Sequence, residues 1–63
     1  MDLSKARYVR LDEAEGHFVL VLLDEDKQEI GHGYKGPTPR RAQDDLKYWT
    51  RTKGLEEVTP FNS

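Results

Sequence analysis

The chain has 63 residues, of which 35% are charged and 35% are apolar, and its formal net charge is −2. This length allows a single small domain over residues 1–63, and the absence of cysteine excludes a disulfide framework. The near balance of 10 basic and 12 acidic residues does not favour a dedicated nucleic-acid binder, which usually has a clear basic excess.

The N-terminus lacks the apolar segment of a signal peptide, and we expect Met1–Lys5 to form a loose leader. The longest apolar run is Phe18–Leu23, far short of the roughly 20 residues that a membrane-spanning helix needs. These features predict a cytoplasmic protein without membrane contact.

Three strands are predicted in the first half of the chain, at Arg7–Leu11, His17–Leu23 and Gln28–Tyr34. Two short polar turns, Asp12–Gly16 and Asp24–Lys27, connect them. Short connections favour antiparallel neighbours, so the pattern predicts a three-stranded antiparallel β-meander.

A helix is predicted after the third strand. Thr38 can cap its N-terminus, Pro39 suits its first position, and Gly54 should end it near Lys53. Its apolar residues recur on one stripe, formed by Ala42, Leu46 and Trp49. The predicted fold class is therefore α+β, with one C-terminal helix packed on the meander.

The second strand is apolar at every position from Phe18 to Leu23, so both of its faces should be buried. An even-length turn after it would place six residues together on the face away from the helix. Five of them form the predicted protein-binding surface, because uncovered apolar patches usually mark interaction sites. These five are Val19, Val21, Ile30, His32 and Tyr34.

The segment 55–63 is a tail with three apolar anchors, Leu55, Val58 and Phe61. The tail could cover the second face of the sheet within the same chain. A second copy of the chain or a partner protein would satisfy the same burial requirement, and the sequence leaves these alternatives open.

A second polar feature surrounds the start of the helix. Lys35, Arg40 and Arg41 lie near a helix N-terminus, where anions are favoured. These residues could contact an acidic protein surface or the phosphates of a nucleic acid. Alternatively, they form an ordinary solvated first turn.

Catalysis and cofactor binding are not expected. The two histidines, His17 and His32, have no cysteine to complete a metal site, and the acidic turn after Leu23 lacks the glycine that a calcium loop requires. The carboxylates fall in predicted exposed turns, whereas acid–base catalysis needs one in a desolvated cleft.

The order of elements from Tyr8 to Trp49 resembles the N-terminal part of HicB-type antitoxins. The resemblance is carried by Glu15-Gly16 before Phe18-Val19-Leu20, and by Gly36, Thr38 and Ala42. It implies a partner protein, since those antitoxins bind a toxin. The order is also similar to the arm-binding domain of some phage integrases, which lays its sheet on DNA.

Together these patterns predict a small non-enzymatic regulator or inhibitor that binds another protein through an apolar sheet face or edge. Two alternatives remain: a nucleic-acid-binding module that uses the basic helix start, and a structural homodimer. A bacterial or phage origin would suit so compact a chain.

Overall fold

The computed structural model describes residues 3–58. A 3-10 helix, Leu3–Lys5, precedes three strands, which are β1 (Tyr8–Ala14), β2 (His17–Leu23) and β3 (Glu29–Gly36). The helix α1 (Pro39–Lys47) continues into a π-helical turn, Tyr48–Thr52, and a short strand β4 (Glu56–Glu57) follows. The order of the three strands and the helix agrees with the prediction.

The sheet has four strands in the order β3-β2-β1-β4, and it is mixed rather than purely antiparallel. The prediction of three strands therefore needs correction. β4 runs parallel to β1, held by bonds from the Glu56 N–H to the Arg7 carbonyl (3.0 Å) and from the Val58 N–H to the Val9 carbonyl (2.9 Å). A two-residue strand is too short to show the alternation by which strands are recognised in sequence.

The two hairpin turns differ. β1 and β2 are joined by Glu15 and Gly16, both with positive φ (53° and 79°), as a type I′ turn requires. Between β2 and β3 the Asp24 N–H donates to the Gln28 carbonyl at 3.0 Å, which leaves a three-residue loop ending at Lys27 with φ 62°. The second loop therefore has an odd number of residues, in contrast to the even lengths predicted.

Two register shifts in the β2–β3 ladder change which side chains of β3 share a face. The first, between Leu22 and Leu23, offsets the odd loop, so Val21 pairs with His32 and the two share a face as predicted. The second lies between Val19 and Val21, opposite Gly33 and Tyr34. Such bulges place two residues opposite one, and each of them turns the following side chains to the other face.

The main core lies between the sheet and α1, and the predicted stripe of the helix is confirmed. Ala42 and Leu46 are buried, and Trp49 packs against the same cluster. Val9, Leu20 and Leu22 have no exposed surface, and each contributes about 1.5–3 kcal/mol by its burial. Ala6 and Leu55 complete the buried cluster, so Leu55 belongs to the helix side of the sheet.

The opposite face, called the open face below, is covered by long side chains of the sheet itself. Val21 is only 7% exposed and Leu23 only 2%. Arg10, opposite Val21, binds Asp12 at 2.9 Å and reaches Glu29 on β3 at 3.5 Å. This bridge crosses β2 from one neighbouring strand to the other. The hydrogen bond to Asp12 and the two carboxylate charges raise the pKa of Arg10, so it stays charged.

The helix start differs in one detail from the prediction. Pro39 occupies the first turn as expected, but the Thr38 side chain makes no capping hydrogen bond. Instead the Thr38 N–H donates to the phenol oxygen of Tyr34 at 3.1 Å, and the Thr38 carbonyl accepts from Ala42. The cap residue therefore ties the helix to β3. In the part of the chain that is described, no helix has the length and apolarity needed to cross a membrane.

Candidate functional site: an aromatic cleft at the edge strand

The candidate site is built around the second bulge, where α1 meets the edge strand β3. A bulge leaves backbone groups without a ladder partner. Here the carboxylate of Asp45 accepts the Tyr34 N–H at 2.7 Å and the indole Nε1–H of Trp49 at 3.2 Å. One helix side chain thus satisfies a strand amide and fixes the indole ring.

The absence of a side chain at Gly33 makes this contact feasible. A Cβ built on Gly33 would lie 2.7 Å from Nε1 of Trp49 and would collide with the Asp45 carboxylate. Glycine in a strand often marks such a close approach. The bulge, the glycine and the helix carboxylate therefore form one structural unit.

This unit forms one wall of an open cleft of about 600 Å³, which we call the aromatic cleft. Tyr48 is 45% exposed, and its ring meets that of Trp49 edge-to-face at a centroid distance of 5.5 Å. Among the described residues, Tyr48 is the large apolar side chain left exposed. The cleft is lined by Gly33, Tyr34, Arg41, Asp44, Asp45, Tyr48 and Trp49.

The charges in the cleft are arranged around Tyr34. Hydrogen bonding to Thr38 lowers the pKa of Tyr34, and the positive charge of Arg41 lowers it further. Within residues 3–58 both ion pairs belong to Arg10, so the Arg41 guanidinium has no carboxylate partner there. The cleft therefore combines one exposed and two half-buried aromatic rings with a cation that is available for contact.

The structure distributes the predicted protein-binding residues over two surfaces. Val21 and His32 share the open face as predicted, and Val19 pairs with Lys35 there. Tyr34 instead lies on the helix side, because the second bulge turns it over. Ile30 packs against the helix-side core for the same reason at the first bulge. The prediction that all five residues share one face is therefore wrong for Ile30 and Tyr34.

The three predicted anion-contact residues are also separated. Arg41 enters the aromatic cleft beside Tyr34, Arg40 is exposed in the first turn of α1, and Lys35 is exposed on β3. Tyr34 and Arg41, which the sequence analysis assigned to different sites, therefore lie in one. Contact of Lys35 or Arg40 with a nucleic acid stays a prediction.

Sequence reasoning missed Asp45 and Tyr48 as site residues and treated Trp49 as core only. The i, i+4 spacing of Asp45 and Trp49 was a usable signal, because such pairs meet on a helix surface. The contact between Asp45 and the amide of Tyr34 depends on the bulge, and no residue pattern in the sequence predicts that bulge.

Residues 3–58 contain no group of three or more histidine, aspartate or glutamate side chains placed to hold a metal ion. Comparison of the chain with protein-family models, with curated proteins and with solved structures gives no significant match. The resemblances to antitoxins and to integrase domains therefore stay predictions.

Proposed function

We propose that this chain is a small non-enzymatic regulator that binds another protein at the aromatic cleft beside the β3 edge. The observation that carries the proposal is the exposed Tyr48 ring, which meets Trp49 edge-to-face and lies near an Arg41 that has no carboxylate partner within residues 3–58. Tryptophan, tyrosine and arginine are the residues most enriched among those that dominate binding energy at protein interfaces.

The geometry favours docking of side chains into the cleft over extension of the sheet by a partner strand. β3 is an edge strand, and an edge strand can in principle pair with another chain. Its two bulges interrupt the regular spacing that a partner strand would need. The cleft beside β3 offers apolar area without that requirement.

The open face supports the proposal less well. Val21 and Leu23 are already buried, so little apolar area remains to be gained there. The part of the predicted surface that we retain is Tyr34, which lines the cleft.

The test uses a pair of double variants in affinity capture from the native host. Tyr48→Ala with Arg41→Ala removes the cleft contacts, whereas Arg40→Ala with Lys47→Ala changes two exposed residues of α1 that do not line it. We expect a protein captured by the wild-type chain and by the control but lost by the cleft variant. With that protein purified, calorimetry should give about thirtyfold weaker binding for the cleft variant.

Capture of the same proteins by a folded cleft variant would contradict the proposal. Two further measurements test the alternatives directly. A dimer mass in sedimentation equilibrium that the cleft variant reduces to a monomer would identify a second copy as the occupant. Binding of DNA or RNA that weakens steeply with salt, without any captured protein, would favour the nucleic-acid alternative.

A further inference from the structure

A second pocket also borders Trp49 and lies between the N-terminal segment and the end of the π-helical turn. It has a volume of about 340 Å³ and is more enclosed than the aromatic cleft. We call it the cationic pocket, and it is lined by Ser4, Ala6, Arg7, Trp49, Lys53 and Leu55. The indole of Trp49 therefore contributes to both cavities.

Among the described residues, two positive charges and no carboxylate line this pocket. Arg7 and Lys53 are both exposed, and neither makes an ion pair with any residue that the structure describes. The ammonium of Lys53 lies 5.9 Å from the centroid of the Tyr48 ring, which borders the aromatic cleft. Within residues 3–58, no carboxylate of the pocket therefore neutralises these two charges.

The fold gives a structural role to the positive charge of Lys53 but none to that of Arg7. A lysine at the end of a helix is favoured by the helix dipole, so Lys53 has a structural role there. The backbone of Arg7 bonds to Leu23 and Glu56, but these bonds do not involve its guanidinium. The acidic turn from Asp24 to Asp26 borders Arg7 in a separate cavity, yet it forms no ion pair with it.

We propose that the cationic pocket binds a carboxylate side chain of an acidic partner segment, while a neighbouring apolar side chain of that segment occupies the aromatic cleft. This inference rests on the proposed function and names the chemistry of the partner. Arginine and lysine form their stronger hydrogen bonds with carboxylates, and Ala6, Trp49 and Leu55 give the pocket apolar walls beside the two cations.

Trp49 lines both subsites, which are therefore adjacent. Side chains that are close together on a single extended segment can reach both. An acidic residue near an aromatic or aliphatic one is the sequence pattern that this spacing selects. A longer acidic tract without an apolar residue would leave the aromatic cleft empty.

The experiment uses Trp49 as its reporter, because it is the single tryptophan of the chain. Its fluorescence and its indole N–H resonance are followed during titration with acetyl-Glu-Glu-Phe-Glu-Glu-amide and with the neutral analogue that carries Gln in place of Glu. We expect the acidic peptide to bind about tenfold more tightly, as two partly exposed ion pairs allow.

Substitution separates the two subsites. Arg7→Ala with Lys53→Ala should abolish the preference for the acidic peptide, while Arg40→Ala with Arg51→Ala removes the same charge outside both cavities and should preserve most of it. Tyr48→Ala should instead weaken both peptides equally. Retention of the preference by the Arg7 and Lys53 variant would overturn the inference.

The remaining outcomes are also decisive. Equal binding of both peptides by the wild-type chain would overturn the inference and leave the aromatic cleft as a binding site. Failure of both peptides at millimolar concentrations would overturn the inference, and the proposed function would then depend on the capture experiment alone. A response of Trp49 to a short oligothymidylate but not to the acidic peptide would identify a nucleic acid as the occupant.

Discussion

The two faces of β2 are buried almost equally but by different means. Leu20 and Leu22 lie under α1, within a core of aliphatic side chains. Val21 and Leu23 lie on the open face, where Arg10 is opposite Val21 and both Tyr8 and Glu29 are opposite Leu23. Long charged side chains can lay their methylene stems on apolar surface while their charged ends stay in water. A sheet of this size can therefore cover its second face without a second helix.

The largest expected effect comes from comparing Leu22→Ala with Leu23→Ala. Leu22→Ala should lower the free energy of unfolding by about 3 kcal/mol, because the packed core cannot close around the cavity. Leu23→Ala should cost about 2 kcal/mol, since the long side chains above it can collapse into the space. Urea unfolding followed by circular dichroism measures both values.

The comparison fails if Leu23→Ala lowers the free energy of unfolding as much as Leu22→Ala does. That result would mean that the cover of the open face is as rigid as the helix-side core. Both variants should be measured at equal protein concentration in two dilutions, because a concentration-dependent midpoint would indicate burial by a second copy.

The helix-side core could be predicted from sequence because it follows regular periodicity. The stripe of Ala42, Leu46 and Trp49 and the alternation of Leu20 and Leu22 need only the period of each element. The orientation of Tyr34 could not be predicted, because a single bulge reverses every later side chain of a strand. The parallel pairing of β4 depends on where the helix returns the chain, which is a tertiary effect.

Asp45→Ala tests how the helix-covered face is joined to the edge strand. It leaves the Tyr34 N–H and the Trp49 Nε1–H without their acceptor, so we expect a loss of about 2 kcal/mol in the free energy of unfolding. Asp44→Ala is the matched control, since Asp44 is the exposed neighbour on the same helix and makes neither bond. The control should be neutral or slightly stabilising, because alanine favours helix.

Asp45→Asn is a third variant, which keeps one oxygen acceptor. Its free energy of unfolding should fall less than that of Asp45→Ala. Amide exchange at Tyr34 gives a local readout, because its N–H is the one that Asp45 protects. Unchanged exchange at Tyr34 in Asp45→Ala would show that the carboxylate does not hold the bulge.

Arg10→Ala tests the cover of the open face and should have a smaller effect. The Arg10 side chain is 28% exposed and its partners Asp12 and Glu29 are more exposed. Ion pairs of this kind contribute little, so we expect about 1 kcal/mol, much of it from the lost stem. Arg10→Met retains the stem and should recover most of the stability. Equal losses for the two variants would assign the effect to the charge instead.

The smallest expected effect is a change in the pKa of Tyr34, which tests whether its ring lies on the helix side of the sheet. On the helix side its phenol accepts the Thr38 N–H and lies near Arg41, which together hold its pKa below the usual value of 10.0. Since the folded-state pKa is the lower one, ionisation favours the folded state. The gain in unfolding free energy develops as pH rises from the folded pKa towards the unfolded pKa, and it is lost as pH falls below the folded pKa.

Spectrophotometric titration of the phenols tests this placement. Tyr34→Phe should remove a phenol that ionises early, and Arg41→Ala should move the pKa of Tyr34 towards 10.0. A normal pKa for Tyr34 would show that neither the bond from Thr38 nor the charge of Arg41 acts on its phenol, and would contradict this placement of the ring.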